Sequence, residues 1–292
     1  MAYWLDYWSF PNSIEYEMKF AGNYGAKGEK RGARKKATPE QIKKQNQINR
    51  EKRMRRLIKA NFLPNDLWAS LKYPEGLRKP LEQIKIDLRQ LLAGMRKEYK
   101  KRDEPFKFVY RMEIGKHGGI HVHILTNRSR VVPATDILLQ EMWPHGRVNH
   151  QSIYEYGGYE KLAVYIVKQP DEEIEGQLSL FEKKEQKELI KYSSSRNLVR
   201  PEPERKEYRR WTVRRLMEYG PIATPGYYID KNSITFGVNK YTGMSYYQYT
   251  ECRIAELKAG TPEWEDWDRE RRESDGQEKQ IRGRNRNRGK PK

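Results

Sequence analysis

Hydrophobic and polar positions fall into short alternating stretches separated by stretches of helical period. Ile120 to Thr126 alternates most strictly. Ile120, Val122 and Ile124 face one side and His121, His123 and Leu125 the other, which predicts a strand. Phe106 to Ile114 predicts a strand before it, joined through the loop Gly115-Lys116-His117-Gly118-Gly119. Upstream, Asp66 to Tyr73 reads as a strand closed by Pro74-Glu75-Gly76. Leu81, Ile84, Leu88, Leu91, Leu92 and Met95 then recur near the 3.6-residue period, which predicts a helix over 77–99. Downstream, 133–142 predicts a helix, 146–153 a strand and 158–169 a further helix. This order predicts an α+β fold. The arrangement is a ferredoxin-like (RRM-like) antiparallel sheet with the histidine strand central and helices on one face. The other face is left free for a site.

Outside that core the pattern weakens. Residues 11–37 are rich in Gly, Lys and Arg and predict little regular structure. Thr38-Pro39-Glu40-Gln41 is a helix start: Thr38 can cap, Pro39 fits the first turn, and Gln41 completes a capping box. The helix runs to about Ala60, with Met54, Leu57 and Ile58 on one face and Arg53, Arg55 and Arg56 elsewhere. Residues 171–191 read as an acidic, then mixed-charge linker or insertion, 192–200 as a polar basic loop, and 207–219 as a basic helix. From 227 to 249, aromatic and β-branched residues alternate around Asn239-Lys240-Tyr241-Thr242-Gly243, which predicts a hairpin. A short charged helix beyond Thr261 leads into an Arg-, Gly- and Asn-rich tail that cannot build a core. The expected organisation is a basic arm and helix (1–65), a catalytic core (66–170), the linker (171–191), a DNA-binding accessory region (192–260) and a disordered tail (261–292).

Composition sharpens this picture. Lysine and arginine number 59 against 40 acids, a net charge of +19. Such an excess points to a polyanionic partner, most often nucleic acid, with a merely soluble basic protein as the alternative. Twenty tyrosines and seven tryptophans favour nucleic acid, because aromatic rings stack on unpaired bases. Arg53, Arg55, Arg56, Lys72, Arg111 and Arg196 are the candidate DNA contacts. A single cysteine excludes an intramolecular disulfide and a thiolate zinc cluster, and fits a reducing bacterial cytoplasm. No apolar run is long enough to span a bilayer, and the start lacks a signal-peptide layout. Only 36% of residues are apolar, so the ordered core is expected to be smaller than the chain.

The chemistry concentrates on the histidine strand. Two histidines separated by one residue project to the same side and can reach one divalent metal. If the hairpin is symmetric about His117, Glu113 lies opposite His121 and shares its face, giving a third ligand. A bulge would shift that register and let His117 compete, and a plain surface pair of histidines is the alternative. Two imidazoles and a carboxylate suit Mn²⁺ and also Mg²⁺. Further along, Tyr159, Leu162, Ala163 and Ile166 form the buried stripe of a helix, with Tyr165 about 120° away from it. Tyr165 and Lys168 are one turn apart. A phenol with a pKa of about 10 needs help to act as a nucleophile at neutral pH, and Lys168 could supply it.

Together, the strand at 66–73, Glu113 with His121-Val122-His123, and Tyr165-x-x-Lys168 resemble the HUH endonucleases. The likeness is to the phage and plasmid rolling-circle replication initiators, in particular those similar to the filamentous-phage replication endonuclease. Ala21-Gly22-Asn23-Tyr24-Gly25, the Thr-Pro-Glu helix and Ser195-Arg196-Asn197 add to it. The resemblance implies a metal-dependent nick in single-stranded origin DNA. Tyr165 would become a 5′-phosphotyrosine beside a free 3′-OH that primes synthesis. It also implies two rivals, a mobilisation relaxase and a non-catalytic origin-binding protein of the same fold. Where some initiators carry a second tyrosine, this chain has Lys161, which implies a single-tyrosine enzyme. Gln177-Leu178-Ser179-Leu180-Phe181 resembles the peptide by which bacterial replication proteins dock on the sliding clamp; alternatively these residues tuck onto the protein's own surface. A host helicase is a further candidate partner.

Overall fold

The computed structural model describes residues 3–19, 35–115, 118–129, 131–154, 159–169, 176, 178, 179, 181–208, 216, 218–255, 266 and 269. The chain divides into two compact units, residues 38–201 and residues 1–37 with 202–292. These boundaries fall elsewhere than the expected breaks at 65/66 and 170/171. Each unit carries its own antiparallel sheet, and five helices are described, an α+β fold compatible with the ferredoxin-like expectation.

In the unit spanning 38–201 the order is α1 (Pro39–Asn61), β3 (Leu67–Leu71), α2 (Leu81–Lys101), β4 (Phe108–Ile114), β5 (Ile120–Thr126), α3 (Thr135–Met142), β6 (Val148–Ser152), α4 (Glu160–Val167), α5 (Lys183–Ile190) and β7 (Tyr192–Ser194). The sheet order is β6-β3-β5-β4-β7, with the histidine strand β5 at the centre. The capping box at α1 forms as expected: Gln41 N donates to Thr38 Oγ1 (3.3 Å) and Thr38 N to Gln41 Oε1 (3.0 Å). Helix α2 begins at Leu81 rather than 77, because Pro80 disfavours helical backbone in the residue before it.

Alternation along the strands separates two cores. Leu67, Ala69, Leu71, Met112, Ile114, Ile120, Val122 and Ile124 pack with the apolar stripe of α2 and with Leu138 and Leu139 of α3. The opposite face is not free, as the sequence suggested. Met54, Leu57 and Ile58 of α1 and Ala163, Ile166 and Val167 of α4 pack with Val109 and Leu125. Each fully buried aliphatic side chain contributes about 1.5–3 kcal/mol, so α4 is held firmly over half of this face.

Two segments expected to lack structure are ordered parts of this unit. In the expected linker, α5 forms behind a Glu182/Glu185 capping box, and Leu189 is buried. In the expected basic loop, β7 pairs with the open edge of β4, and Ser195 N donates to Phe108 O (2.9 Å).

The other unit is built from β1 (Tyr3–Ser9), β2 (Ser13–Lys19), β8 (Glu204–Tyr208), β9 (Tyr227–Asn239) and β10 (Met244–Arg253), in the order β8-β1-β2-β10-β9. The predicted hairpin is present. Its turn is closed by Asn239, whose Oδ1 accepts from Tyr241 N (2.9 Å) and Thr242 N (3.1 Å). The expectation of irregular backbone over 11–37 fails at 13–19, which pair with β1 and β10. The basic helix expected from 207 fails at its start, where Glu207 and Tyr208 belong to β8; Leu216 is buried beside Leu5, Met18 and Tyr247. The tail beyond 269 and the Ala21–Gly25 segment lie outside the described residues.

Candidate active site

The β4–β5 hairpin has the register expected of a loop symmetric about His117, with Glu113 opposite His121 and Arg111 opposite His123. His117 itself lies outside the described residues. Alternation therefore sets Glu113, His121 and His123 on one face, next to the part that α1 and α4 cover. The His123 Nε2 and Glu113 Oε2 atoms are 3.4 Å apart, and both side chains keep a little solvent exposure (13% and 16%).

Helix α4 brings Tyr165 onto this pair. The wheel is as expected: Tyr159, Ala163 and Ile166 are buried and Tyr165 is half-buried at the stripe's edge. The Tyr165 hydroxyl donates to Glu113 Oε2 (2.5 Å) and lies 3.0 Å from His123 Nε2. Trp68 on β3 completes the group. Its ring stacks on His123 (centroids 5.6 Å, interplanar 10°) and meets Tyr165 edge-on (5.7 Å, 87°).

The electrostatics follow from burial. Desolvation, opposed by Glu113, lowers the His123 imidazole to about 4. His121 is lowered for the same first reason, with the Lys72 charge adding to it. Both rings are therefore neutral near pH 7, the state in which imidazole ligates a metal. Burial first, and then the bond and charge of Glu113, push the Tyr165 phenol well above its usual value; Arg111 opposes the rise.

The donor set suits a divalent cation, and the cross-strand placement is the expected one. His123 Nδ1 and Ser70 Oγ, on paired residues, are buried without a hydrogen-bond partner among the described residues. The side chains as they stand do not converge, however. Among the described residues, no group of three His, Cys, Asp or Glu could hold a metal. The Tyr165 hydroxyl lies within hydrogen-bond reach of both Glu113 and His123. His121 packs against the hairpin instead, where a Cβ on Gly115 would lie 2.9 Å from its Cε1.

Several expected roles fall differently. Arg111 is only 4% exposed, and its Nη1 donates to Tyr165 O (3.0 Å), Ile166 O (3.3 Å) and Lys168 O (2.8 Å). It faces a helix end rather than solvent, which corrects its reading as a DNA contact. Lys168 is the C-cap of α4, where the helical backbone ends. The cation that acts on the Tyr165 phenol is Arg111. Lys72 is half-buried near the histidines, Arg53 and Arg196 are exposed, and Arg55 and Arg56 are half-buried on α1. At the position of a second tyrosine, Lys161 is exposed, and nearby Tyr159 is buried at 3%. In the clamp-like segment, Leu178 is 5% exposed and joins the α2 core, with Phe181 packed against that core. Both are engaged within the protein; Gln177 and Leu180 lie outside the described residues. Trp68, Ser70 and Gln47 were not singled out by sequence, although alternation along β3 already set Trp68 and Ser70 on the site face.

Residues 66–170 match the family model of replication-associated proteins of the ORF2 type. The span runs from β3 through α4 and contains Glu113, His121, His123 and Tyr165. The match is consistent with a phage or plasmid replication initiator. No curated protein and no solved structure matches the chain. No helix among the described residues is long and apolar enough to cross a membrane.

Proposed function

We propose that this protein is a metal-dependent, single-tyrosine endonuclease and strand transferase of the HUH type, which nicks single-stranded origin DNA to start rolling-circle replication. The observation that carries this reading is the convergence of Tyr165, His123 and Glu113, contributed by α4, β5 and β4. A phenol meets a carboxylate and a neutral imidazole on a sheet face next to Lys72, and the surrounding span matches a replication-associated family.

Glu113, His121 and His123 would hold the divalent ion, Mn²⁺ or Mg²⁺, which when bound supplies a Lewis acid that offsets charge on the scissile phosphate. Tyr165 is the nucleophile. Its proton is already directed at Glu113, so attack begins when the oxygen loses that proton and leaves the carboxylate. The Tyr165 Oη–P bond forms as the P–O3′ bond breaks, and the departing 3′ oxygen takes up a proton. The phosphodiester energy is kept in the tyrosyl ester, so a later 3′-OH can reverse the step. Trp68, stacked on His123 and edge-on to Tyr165, fixes both rings. The exposed Arg53 and Arg196 are placed to meet phosphates.

The test mixes the full chain with single-stranded oligonucleotides from its own replicon and Mn²⁺, resolved on a denaturing gel. A covalently shifted band, absent in Tyr165→Phe and in EDTA, is the expected result. Tight binding without adduct across several metals would replace this reading with a non-catalytic origin-binding protein.

A further inference from the structure

The C-terminal end of α4 shows an unusual completeness of bonding. A helix leaves its last four carbonyls without intrahelical partners. Here the Tyr165, Ile166 and Lys168 carbonyls accept from Arg111 Nη1, at 3.0, 3.3 and 2.8 Å. The one between them, Val167 O, accepts from Gln47 Nε2 (3.1 Å), which also donates to Glu51. Two side chains from two elements, α1 and β4, thus bond four successive carbonyls around the nucleophile.

The charge fits the place. A cation at a helix C-terminus meets the negative end of the macrodipole, and a planar guanidinium spreads its donors over several acceptors at once. Arg111 is buried, and burial lowers its pKa; desolvating it is costly unless the position is needed. Helix α4 is only eight residues long and has no side-chain N-cap bond, so its N-terminal end contributes little to holding it in place. Arg111 also shares the β4 face of Glu113, two residues away, and lies opposite His123. One strand therefore carries both the acceptor of the Tyr165 hydroxyl and the anchor of the Tyr165 main chain.

We infer that Arg111 and Gln47 form a clamp that positions the Tyr165 nucleophile by bonding the carbonyl end of its helix. Arg111 is a positioning residue that acts through Tyr165 and does not contact DNA. The effect on rate rests on the endonuclease reading; the effect on helix order does not.

Full-length wild type, Arg111→Met, Arg111→Lys and Gln47→Met are compared in three ways: rate of covalent adduct formation with Mn²⁺, equilibrium binding of the same single-stranded oligonucleotide, and hydrogen exchange over 160–168. Displacing a reacting group by about 1 Å can cost about 100-fold in rate. The clamp predicts a loss of that order in Arg111→Met with unchanged DNA affinity, and a smaller loss in Gln47→Met. Arg111→Lys, or guanidinium ion added to Arg111→Met, should recover part of the rate. Exchange should rise over 160–168 in Arg111→Met while β5 stays protected. A wild-type rate in Arg111→Met, a rate loss matched by an equal loss of DNA affinity, or unchanged exchange over 160–168 would each overturn the clamp. If wild type forms no adduct, the endonuclease reading fails and exchange alone decides the clamp. If Arg111→Met does not fold, Arg111→Lys and Gln47→Met carry the same comparison.

Discussion

Replacing Tyr165 by phenylalanine removes one oxygen and leaves the ring against Trp68. That oxygen is 2.5 Å from Glu113 and 3.0 Å from His123. A hydrogen bond to a charged group is worth about 1.5–3 kcal/mol, and one between neutral groups about 1 kcal/mol. Two effects reduce the sum. The Glu113 and His123 side chains retain 16% and 13% exposure, so water replaces part of what is lost. Burying the phenol oxygen also carried a desolvation cost that phenylalanine avoids. The net expectation is a destabilisation of about 1–2 kcal/mol, or roughly 2–8 °C in Tm for a unit of this size. Denaturant unfolding of wild type, Tyr165→Phe, Glu113→Gln and the double variant, in EDTA at neutral pH, measures it. The double-mutant cycle should return a coupling of about 1 kcal/mol, since the two groups touch. Wild-type stability in Tyr165→Phe together with zero coupling would refute the hydroxyl bridge. Retained stability alone would show only that water substitutes fully.

Three further outcomes follow from other parts of the same unit. His123 titrates near 4 in the folded protein against a usual 6.5, so the unfolded chain takes up this proton first. Stability from His123 is complete above about 6.5 and is lost as pH falls toward 4, by up to about 3 kcal/mol; in urea unfolding, His123→Gln should show a shallower acid slope, and equal slopes would discard the assignment. Asp66 accepts from Leu63 N through Oδ2 and from Arg128 N through Oδ1, both at 2.8 Å. An amide cannot accept at both positions, so Asp66→Asn should cost about 1–3 kcal/mol, and a variant as stable as wild type would refute the paired acceptor role. Gly146 passes so close to β3 that an added Cβ would lie 2.3 Å from Lys72 O. Gly146→Ala must displace that backbone and should cost about 1–3 kcal/mol, read as a lower Tm; an unchanged Tm would mean that the loop yields freely.

Local pattern was sufficient where the decisive contacts are local. Ile120 to Thr126 alternates strictly because one face is core and the other is the site, and its boundaries in the structure are those the pattern predicts. The short β4–β5 loop fixes the register, so Glu113 could be placed opposite His121 without any tertiary information. The capping box of α1 and the buried stripe of α4 were legible for the same reason: both are set within one or two turns of chain. Neighbouring residues carry no record of contacts made over long sequence separations. Strand β1 pairs Tyr3 with Tyr208, and the open edge of β4 recruits β7, so 13–19, 192–194 and 204–208 became strands against their polar local appearance. Burial also overrides composition: Leu178 and Phe181 look exposed in a charged stretch, yet the α2 core takes them in.

Arg111 shows the same division within the site itself. Alternation alone put it on the face of Glu113 and opposite His123, and there an arginine in a strongly basic chain reads as a phosphate contact. Only the tertiary structure lays the carbonyl end of α4 over that position, turning the guanidinium inward. The sequence by itself determined which side chains share the sheet face, because strand period and hairpin register are local properties. The tertiary structure decided which of them meet, because that depends on where a separate helix docks.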